Sequence, residues 1–403
     1  MERIALFLFA GLIVSAICGS CRSNKKEEKT VSIVRNTEAR EDSVRMAEAL
    51  ALQSKFENRI QAVGETDPLS SDPGEDAADD PAIWYNAKDP GKSLIIGTNK
   101  KSGLWVFNLD GITQQVVNAG RINNVDLCYG FPYGEKEVSL VAGSNRDNNS
   151  ITLFYIDPDT GVLSDSICNI RSGVDEVYGI CFYKDARKSR FFVFVNGKGG
   201  KIEQWEIRSS GTRLTGNMAR SFTTASQPEG MVSDDDNNIL YIGVEEEGIY
   251  RVNADPEADT ILNQIAGSDQ TNPHISYDIE GLALLMANNK TYLVASIQGN
   301  FSYAIFETGA NERYLTSFVI EDGIVDGVEE TDGIEIFSFP ISARFPYGLL
   351  VVQDGFNRSG NKLTGQNFKL ISLEDVIEYV DIANAGNAGA DSDMLLFIIG
   401  GCL

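Results

Sequence analysis

Short apolar runs separated by polar turns recur along most of the chain. In each copy, a strand-like run ends in a turn of Gly, Asn and Asp residues and a second strand-like run follows at once, as in a β-hairpin. Aromatic and β-branched residues dominate these runs, which favours strands over helices. This hairpin pattern repeats with a period of about 50 residues. The copies cover residues 93–111, 139–161, 191–211, 239–255, 292–310 and 347–375.

A further apolar segment precedes each hairpin and carries an acidic residue or an asparagine near its start. The six segments read DDPAIW, NNVDLCYG, DEVYGICFY, PEGMVSD, DIEGLALL and DGIEIFSF. A repeat of this length with four short strands per unit is typical of a β-propeller. The sequence therefore predicts an all-β fold, a six-bladed β-propeller of four-stranded antiparallel blades, over residues 63–380.

The topology of such blades predicts that polar residues from all six repeats meet on one face. Because adjacent strands in a blade are antiparallel, the start of one strand lies at the same end as the exit of the next strand. The acids at positions 79, 80, 126, 175, 176, 229, 278, 280 and 332 should therefore lie close to the hairpin turns. Those turns contain Lys100, Lys101, Arg146, Lys198, Glu245, Gln298, Gln353 and Asp354.

The charged and titratable residues of the chain limit the ligands and reactions that this face can support. The chain of 403 residues has a formal net charge of −24, which argues against nucleic acid as a partner because phosphates bind basic surfaces. Its single histidine, His274, excludes mechanisms within this chain that need two histidines. About ten carboxylates on one face must bind cations or take up protons, and calcium prefers such oxygen ligands. The cationic side chains among them suggest an anionic substrate with several charges, and hence metal-assisted phosphate chemistry.

The two ends of the chain are expected to lie outside the propeller. Arg3 precedes an apolar run, from Ile4 to Ile17, that is too short to span a membrane and is typical of an export signal. We predict a signal peptide over residues 1–21 that ends at Cys21, a lipoprotein-type site whose lipid would tether the exported chain to a membrane; ordinary secretion is the alternative. Residues 22–62 would form a polar tether and a short leader, either a helix or partly a first strand. Residues 381–403 would form a C-terminal tail.

From about Glu65 to Lys369 the chain resembles the β-propeller phytases, which are alkaline phytases of the 3-phytase type. The matching stretches occur in family order in all six repeats and read DAADDPAIW, TNKKSGLWV, NNVD, GSNR, DEVYG, PEGM, DIEGL, SIQGNFSYAIFE, TDGIEIF, VVQDG and QNFKL. The resemblance implies a phosphoric monoester hydrolase with several catalytic and structural calcium ions. It also implies stepwise hydrolysis of myo-inositol hexakisphosphate by in-line attack of a calcium-bound water.

The resemblance further implies roles for individual residues. Ligands of a catalytic calcium cluster would be Asp79, Glu229, Glu245, Asp278, Glu280, Gln298 and Asp332, with Tyr178 supporting both the cluster and the substrate phosphate. Substrate phosphates would be bound by Lys100, Arg146 and Lys198, with Lys101 beside them. A structural calcium site formed by Glu65, Asp326, Gln353 and Asp354 would hold the first and last blades together. Another would use Asp80 and the Val125 carbonyl, with Asp76 as a further candidate.

Two other functions are compatible with parts of this pattern. A non-catalytic propeller would use calcium only for stability and bind a phosphorylated ligand or a partner. A calcium-dependent esterase or lactonase on a similar propeller would not need a basic cluster beside the acids. Because Lys100, Arg146 and Lys198 are all present, the sequence favours a phosphatase that acts on a small-molecule substrate. We expect the protein to be a monomer.

Overall fold

The computed structural model describes residues 43–310 and 312–385. The predicted signal peptide with Cys21, most of the predicted tether and residues 386–403 of the predicted tail lie outside these ranges. Helices cover residues 43–53 and 374–385, and short 3-10 helices cover Pro90–Lys92 and Gln298–Asn300. Within the described ranges, every helix is too short or too polar to cross a membrane.

Six antiparallel sheets of four strands form the blades of a propeller, which confirms the predicted fold. Blade 1 contains Ala78–Trp84, Leu94–Asn99, Gly103–Asn108 and Thr113–Asn118, and blade 2 contains Ile122–Tyr133, Lys136–Asn145, Ser150–Ile156 and Cys168–Arg171. Blade 3 contains Val177–Asp185, Arg190–Gly197, Lys201–Ser210 and Arg213–Thr223, and blade 4 contains Pro228–Asp234, Ile239–Val244, Gly248–Asn253 and Asn263–Gln264. Blade 5 contains Ile279–Ala287, Lys290–Ile297, Ser302–Glu307 and Arg313–Glu321, and blade 6 contains Ile334–Phe337, Leu349–Asp354, Asn367–Ser372 and Gly64–Glu65. A small hairpin, Arg358–Ser359 with Lys362–Leu363, extends from blade 6.

Two short strands from the N-terminal side of the propeller close the ring of blades. Gly64–Glu65 pairs antiparallel with the last propeller strand and completes blade 6. Arg59–Gln61 runs parallel to the segment from Val319 to Glu321 and adds a fifth strand to blade 5. Because both pairings join segments that are far apart in sequence, they depend on the ring being closed.

The apolar core is divided among the interfaces between neighbouring blades. Six clusters of buried side chains each combine residues from two adjacent blades. Between blades 2 and 3, for example, Phe131 packs edge-on against Phe191 with 5.0 Å between the ring centroids. Successive side chains of a strand point to opposite faces of its sheet. Each blade therefore needs both neighbours to bury its two apolar faces.

At or near the start of the innermost strand of each blade, two consecutive residues are not paired with residues of the neighbouring strand. In blades 1 to 5 the pair marks a shift in register, and in blade 6 it directly precedes the strand. We call these the entrance pairs: Asp79–Asp80, Asn123–Asn124, Tyr178–Gly179, Glu229–Gly230, Glu280–Gly281 and Asp332–Gly333. Irregularities of this kind re-aim side chains, and here they recur at the same position in every blade.

Glycine is required in several entrance pairs because neighbouring inner strands approach each other closely. Gly333 donates its N–H to the Asp79 carbonyl over 3.0 Å. A Cβ on Gly179 would lie 1.9 Å from the carbonyl oxygen of Glu229. A side chain at such a position would push two inner strands apart and displace the residues that precede each glycine.

Gly230→Ala is expected to lower the free energy of unfolding by about 1–3 kcal/mol or more, the usual cost of overpacking. The new Cβ would lie 2.1 Å from the carbonyl oxygen of Glu280, and this backbone atom cannot rotate away as a side chain can. Urea unfolding followed by tryptophan fluorescence measures the change. Gly91→Ala is the matched control, because its nearest neighbour is a side-chain oxygen of Asp89 at 3.6 Å. Equal unfolding midpoints for the two variants would contradict the close approach of the inner strands.

Candidate metal and anion site

Side chains from separate blades meet where the innermost strands begin. The first residues of five entrance pairs are predicted site residues: Asp79, Tyr178, Glu229, Glu280 and Asp332. The turns between the second and third strands of the blades lie at the same end of the ring, as the antiparallel topology requires. These turns bring the predicted basic residues to the acids.

Asp79, Glu229 and Asp332 form one group of acids, which we call the first acidic group. They come from blades 1, 4 and 6, and one oxygen from each carboxylate lies within 4.8 Å of the other two. Burial and repulsion from Asp79 and Glu229 raise the pKa of Asp332 well above its usual range. The ionised forms are therefore costly unless a cation lies among them.

Glu229, Glu245 and Glu280 form the second acidic group, with the same spacing between oxygens. Burial and repulsion from Glu280 raise the pKa of Glu229, and burial with repulsion from Asp278 raises the pKa of Glu245 to about 7. Gln298 lies against Asp278, since its backbone N–H donates to the Asp278 carbonyl over 2.9 Å. Glu229 belongs to both acidic groups, so one carboxylate links them.

The two acidic groups fit divalent cations with oxygen ligands. Glu280 Oε2 is buried and accepts no hydrogen bond from any residue in the described part of the chain. A buried oxygen left in this state is costly, and a divalent cation would satisfy it together with its carboxylate neighbours. The ligands come from different blades, so a bound ion would also tie those blades together.

Lys100 stands beside the first acidic group. Its Nζ lies 2.8 Å from oxygens of Asp79 and Asp76 and 3.6 Å from an oxygen of Asp332. Burial alone would lower the pKa of Lys100, but these three carboxylates raise it well above its usual range. The ammonium group is therefore held charged between the acids and the solvent. The neighbouring Lys101 is exposed.

Arg146 and Lys198 both lie close to the ring of Tyr178. The Lys198 Nζ is 4.6 Å from the centre of the Tyr178 ring and the Arg146 guanidinium carbon is 6.0 Å from it. Arg146 forms an ion pair with Glu176 through Nη2. Repulsion from Glu229, together with burial, raises the pKa of the Tyr178 hydroxyl above its usual range. Tyr178 therefore remains a neutral phenol close to two cations and to the acids.

Asn123, the first residue of the entrance pair in blade 2, also contacts the site, although it is not among the site residues predicted from the sequence. Its side chain is fully buried, and its Nδ2 donates to Asp79 Oδ2 over 2.9 Å. Its Oδ1 accepts from Arg146 Nη1 over 3.2 Å. Its position in the repeat could have identified it. When the six inner segments are aligned on their entrance pairs, Asn123 is equivalent to Asp79, Tyr178, Glu229, Glu280 and Asp332.

Three of the four residues predicted for the ring-closing calcium site surround a lysine side chain. Lys369 is fully buried, and its Nζ forms ion pairs with Glu65, Asp326 and Asp354. The fourth, Gln353, directs its Nε2 to the Ala78 carbonyl at 3.4 Å. Three carboxylates and one ammonium leave this group with a formal charge of −2, which a divalent cation could balance.

The residues predicted for the other structural calcium site lie next to each other. Asp80 is nearly buried, and its Oδ2 accepts the Val125 N–H over 3.0 Å. Burial raises the pKa of Asp80 well above its usual range. Asp76, the additional candidate, forms its ion pair with Lys100. The structure thus brings the Asp80 carboxylate to the Val125 backbone and places Asp76 at the edge of the first acidic group.

Comparison with known proteins gives a consistent picture. A family model described as Phytase matches residues 29–390 of the chain. Over 330 residues the chain is 42% identical to a 3-phytase from Bacillus subtilis (strain 168), which covers 80% of this chain and 85% of that protein. Among solved structures, the β-propeller domain of Cps50 (Swd1) from Myceliophteria thermophila covers 72% of this chain and 82% of its own, with a TM-score of 0.43 and 13% identity. This last likeness is too distant to carry an argument.

Proposed function

The chain belongs to the phytase family and is a phosphoric monoester hydrolase, and we propose that it hydrolyses myo-inositol hexakisphosphate stepwise in a calcium-dependent reaction. The observation that carries the proposal is the overlap of the two acidic groups at Glu229. Glu229 would help to hold metal ions in both acidic groups, and metal ions there would neutralise the charge of a bound phosphate.

The basic residues support a substrate with several phosphate groups. Lys100 lies beside the first acidic group, and Arg146 and Lys198 lie close to the Tyr178 ring. Guanidinium and ammonium groups at separate positions can bind different phosphates of one substrate. After one phosphate leaves, the remaining phosphates can still bind these cations, which is compatible with stepwise release.

Each group of site residues would have a separate role in the reaction. The acidic groups would hold the metal ions, and Tyr178 would orient the phosphate that Arg146 and Lys198 bind close to its ring. Bound calcium would supply neutralisation of the phosphate charge and acidification of the water that attacks phosphorus in line with the leaving oxygen. Lys100, which contacts Asp79 and Asp332, would keep the entering phosphate close to the first acidic group.

Phosphate release from myo-inositol hexakisphosphate is expected with calcium and is expected to be lost in excess EGTA, because the acidic groups would then lack their cations. Magnesium at the same concentration serves as the control for unspecific charge neutralisation. Ion chromatography should show the penta- and tetrakisphosphates appearing in succession. Release that continues at full rate in EGTA would overturn the calcium requirement, and direct appearance of the final product without intermediates would overturn stepwise hydrolysis.

A further inference from the structure

Asn123 is the one first residue of an entrance pair that has no assigned role. The equivalent residues of the other five blades are Asp79, Tyr178, Glu229, Glu280 and Asp332, which belong to the acidic groups or, for Tyr178, lie close to two basic residues. In blades 1 to 5 the pair lies at the same register shift, and in blade 6 it directly precedes the inner strand. The fold therefore places Asn123 at the same end of the ring of blades as the residues proposed to bind metal and phosphate.

Both the nitrogen and the oxygen of the Asn123 side-chain amide form hydrogen bonds. Its Nδ2 donates to Asp79 Oδ2 over 2.9 Å and to Asn124 Oδ1 over 2.8 Å, and it lies 3.5 Å from Glu229 Oε1. Its Oδ1 accepts from Arg146 Nη1 over 3.2 Å. The charges on either side fix this orientation, because a rotated amide would place its oxygen against the two carboxylates and its NH2 against the guanidinium.

The position of the Arg146 guanidinium is held by contacts with Asn123 and Glu176. Nη1 donates to Asn123 and Nη2 forms the ion pair with Glu176. Nε is buried and makes no hydrogen bond with the part of the chain that the structure describes. Glu176 is more exposed than Asn123, so Asn123 is the buried anchor of this guanidinium.

We propose that Asn123 is a positioning residue that couples the metal-binding carboxylates to the phosphate-binding Arg146. One amide contacts both partners, so it fixes the distance between the first acidic group and the guanidinium. A phosphate that binds Arg146 is then delivered at a set distance from the metal ions. This inference rests on the proposed function, because the consequence of the coupling is seen only when phosphate and calcium bind together.

The test compares Asn123→Leu, which has nearly the same shape without polar atoms, with the native chain. We expect the KM for myo-inositol hexakisphosphate and the dissociation constant for calcium, measured by isothermal titration calorimetry, both to rise about tenfold, within the usual range for residues that support metal ligands. In an Arg146→Ala background, Asn123→Leu should leave KM unchanged and still raise the dissociation constant for calcium. The two quantities should respond differently because Asn123 affects KM through Arg146 and calcium binding through Asp79.

Gln204→Leu is the matched control. Gln204 is also a fully buried amide that accepts from an arginine, Arg220 Nε at 2.6 Å, and donates to a backbone carbonyl, that of Ala254 at 2.8 Å. It lies on the third strand of blade 3, outside both acidic groups. We expect Gln204→Leu to lower stability without changing KM or the dissociation constant for calcium.

The outcomes separate this inference from the proposed function. A native protein without calcium-dependent release would overturn the proposed function itself. An active native protein with Asn123→Leu kinetics like those of Gln204→Leu would overturn the role of Asn123 alone, as would equal increases in KM with and without Arg146. If Asn123→Leu does not fold, Asn123→Ser replaces it, since serine places no apolar group against the carboxylates but cannot reach both partners. The same split between KM and the dissociation constant for calcium is then expected.

Discussion

Glu229→Gln is expected to lower phosphate release from myo-inositol hexakisphosphate by about 100-fold or more. Loss of a residue that only supports a metal ligand typically costs about 10–100-fold, and Glu229 is a member of both acidic groups. Removing its charge would weaken both proposed cation positions at once. The measurement is kcat/KM at saturating calcium, together with a calcium titration to find how much activity returns at higher concentration.

The same substitution is expected to stabilise the protein when calcium is absent. Burial and repulsion from Glu280 raise the pKa of Glu229, so the ionised carboxylate is less favourable in the folded chain than in the unfolded chain. This cost appears as the pH rises above the usual glutamate pKa, and glutamine removes it. We therefore expect a higher melting temperature for Glu229→Gln than for the native chain in EGTA at neutral pH.

Glu206→Gln is the control for both effects. Glu206 is also buried, but its partners are the guanidinium groups of Arg190 and Arg208. Its substitution should reduce stability and leave the activity and the calcium requirement unchanged. An active Glu229→Gln variant with a native calcium requirement would refute the assignment of Glu229 as the shared ligand.

Lys369→Met is expected to lower the free energy of unfolding by about 3–5 kcal/mol in EGTA, the usual cost of removing one partner from a buried ionic group. Methionine keeps the unbranched shape but leaves Glu65, Asp326 and Asp354 without their common ammonium partner. Burial lowers the pKa of this lysine, but the three carboxylates outweigh burial and hold the pKa above its usual value. Urea unfolding in EGTA measures the loss without calcium taking the place of the ammonium group.

Lys188→Met is the matched control for this experiment. Lys188 also faces three carboxylates, those of Asp185, Asp255 and Glu257, but its side chain is 44% exposed. Water already screens those charges, so little change in stability is expected. Similar losses for the two variants would show that Lys369 does not act as a buried link between the first and last parts of the propeller.

Most of the fold could be predicted because its signals are local and repeated. Each hairpin combines strand-forming residues with a turn of Gly, Asn or Asp, and six copies at a regular period indicate a propeller. No repeated hairpin pattern marks the two closing strands, Arg59–Gln61 and Gly64–Glu65, and the sequence offered a first strand at the end of residues 22–62 only as an alternative to a helix. The closing strands are two or three residues long, and their partners in blades 5 and 6 lie far away in sequence.

The candidate site was predictable where residues carry charge and less so where they do not. Charged side chains such as Asp79 and Arg146 were found because topology alone places strand entrances beside hairpin exits. Asn123 is neutral, so it became visible only when the entrance pairs defined equivalent positions. Lys369 occupies a strand-like stretch, QNFKL, in which nothing local shows that its ammonium group is fully buried among acids.

The sequence by itself determined the number of blades, the face on which the polar residues gather and the phosphate chemistry that this face suits. Those properties follow from periodicity, from the antiparallel order of strands and from residue type, which do not depend on small distances. Only the tertiary structure decided which carboxylates lie close enough to hold a common cation, that Asn123 joins Asp79 to Arg146, and that an ammonium group lies at the ring closure. Ligand sharing and hydrogen bonding change over about an ångström, and such distances exist only once six blades have closed into a ring.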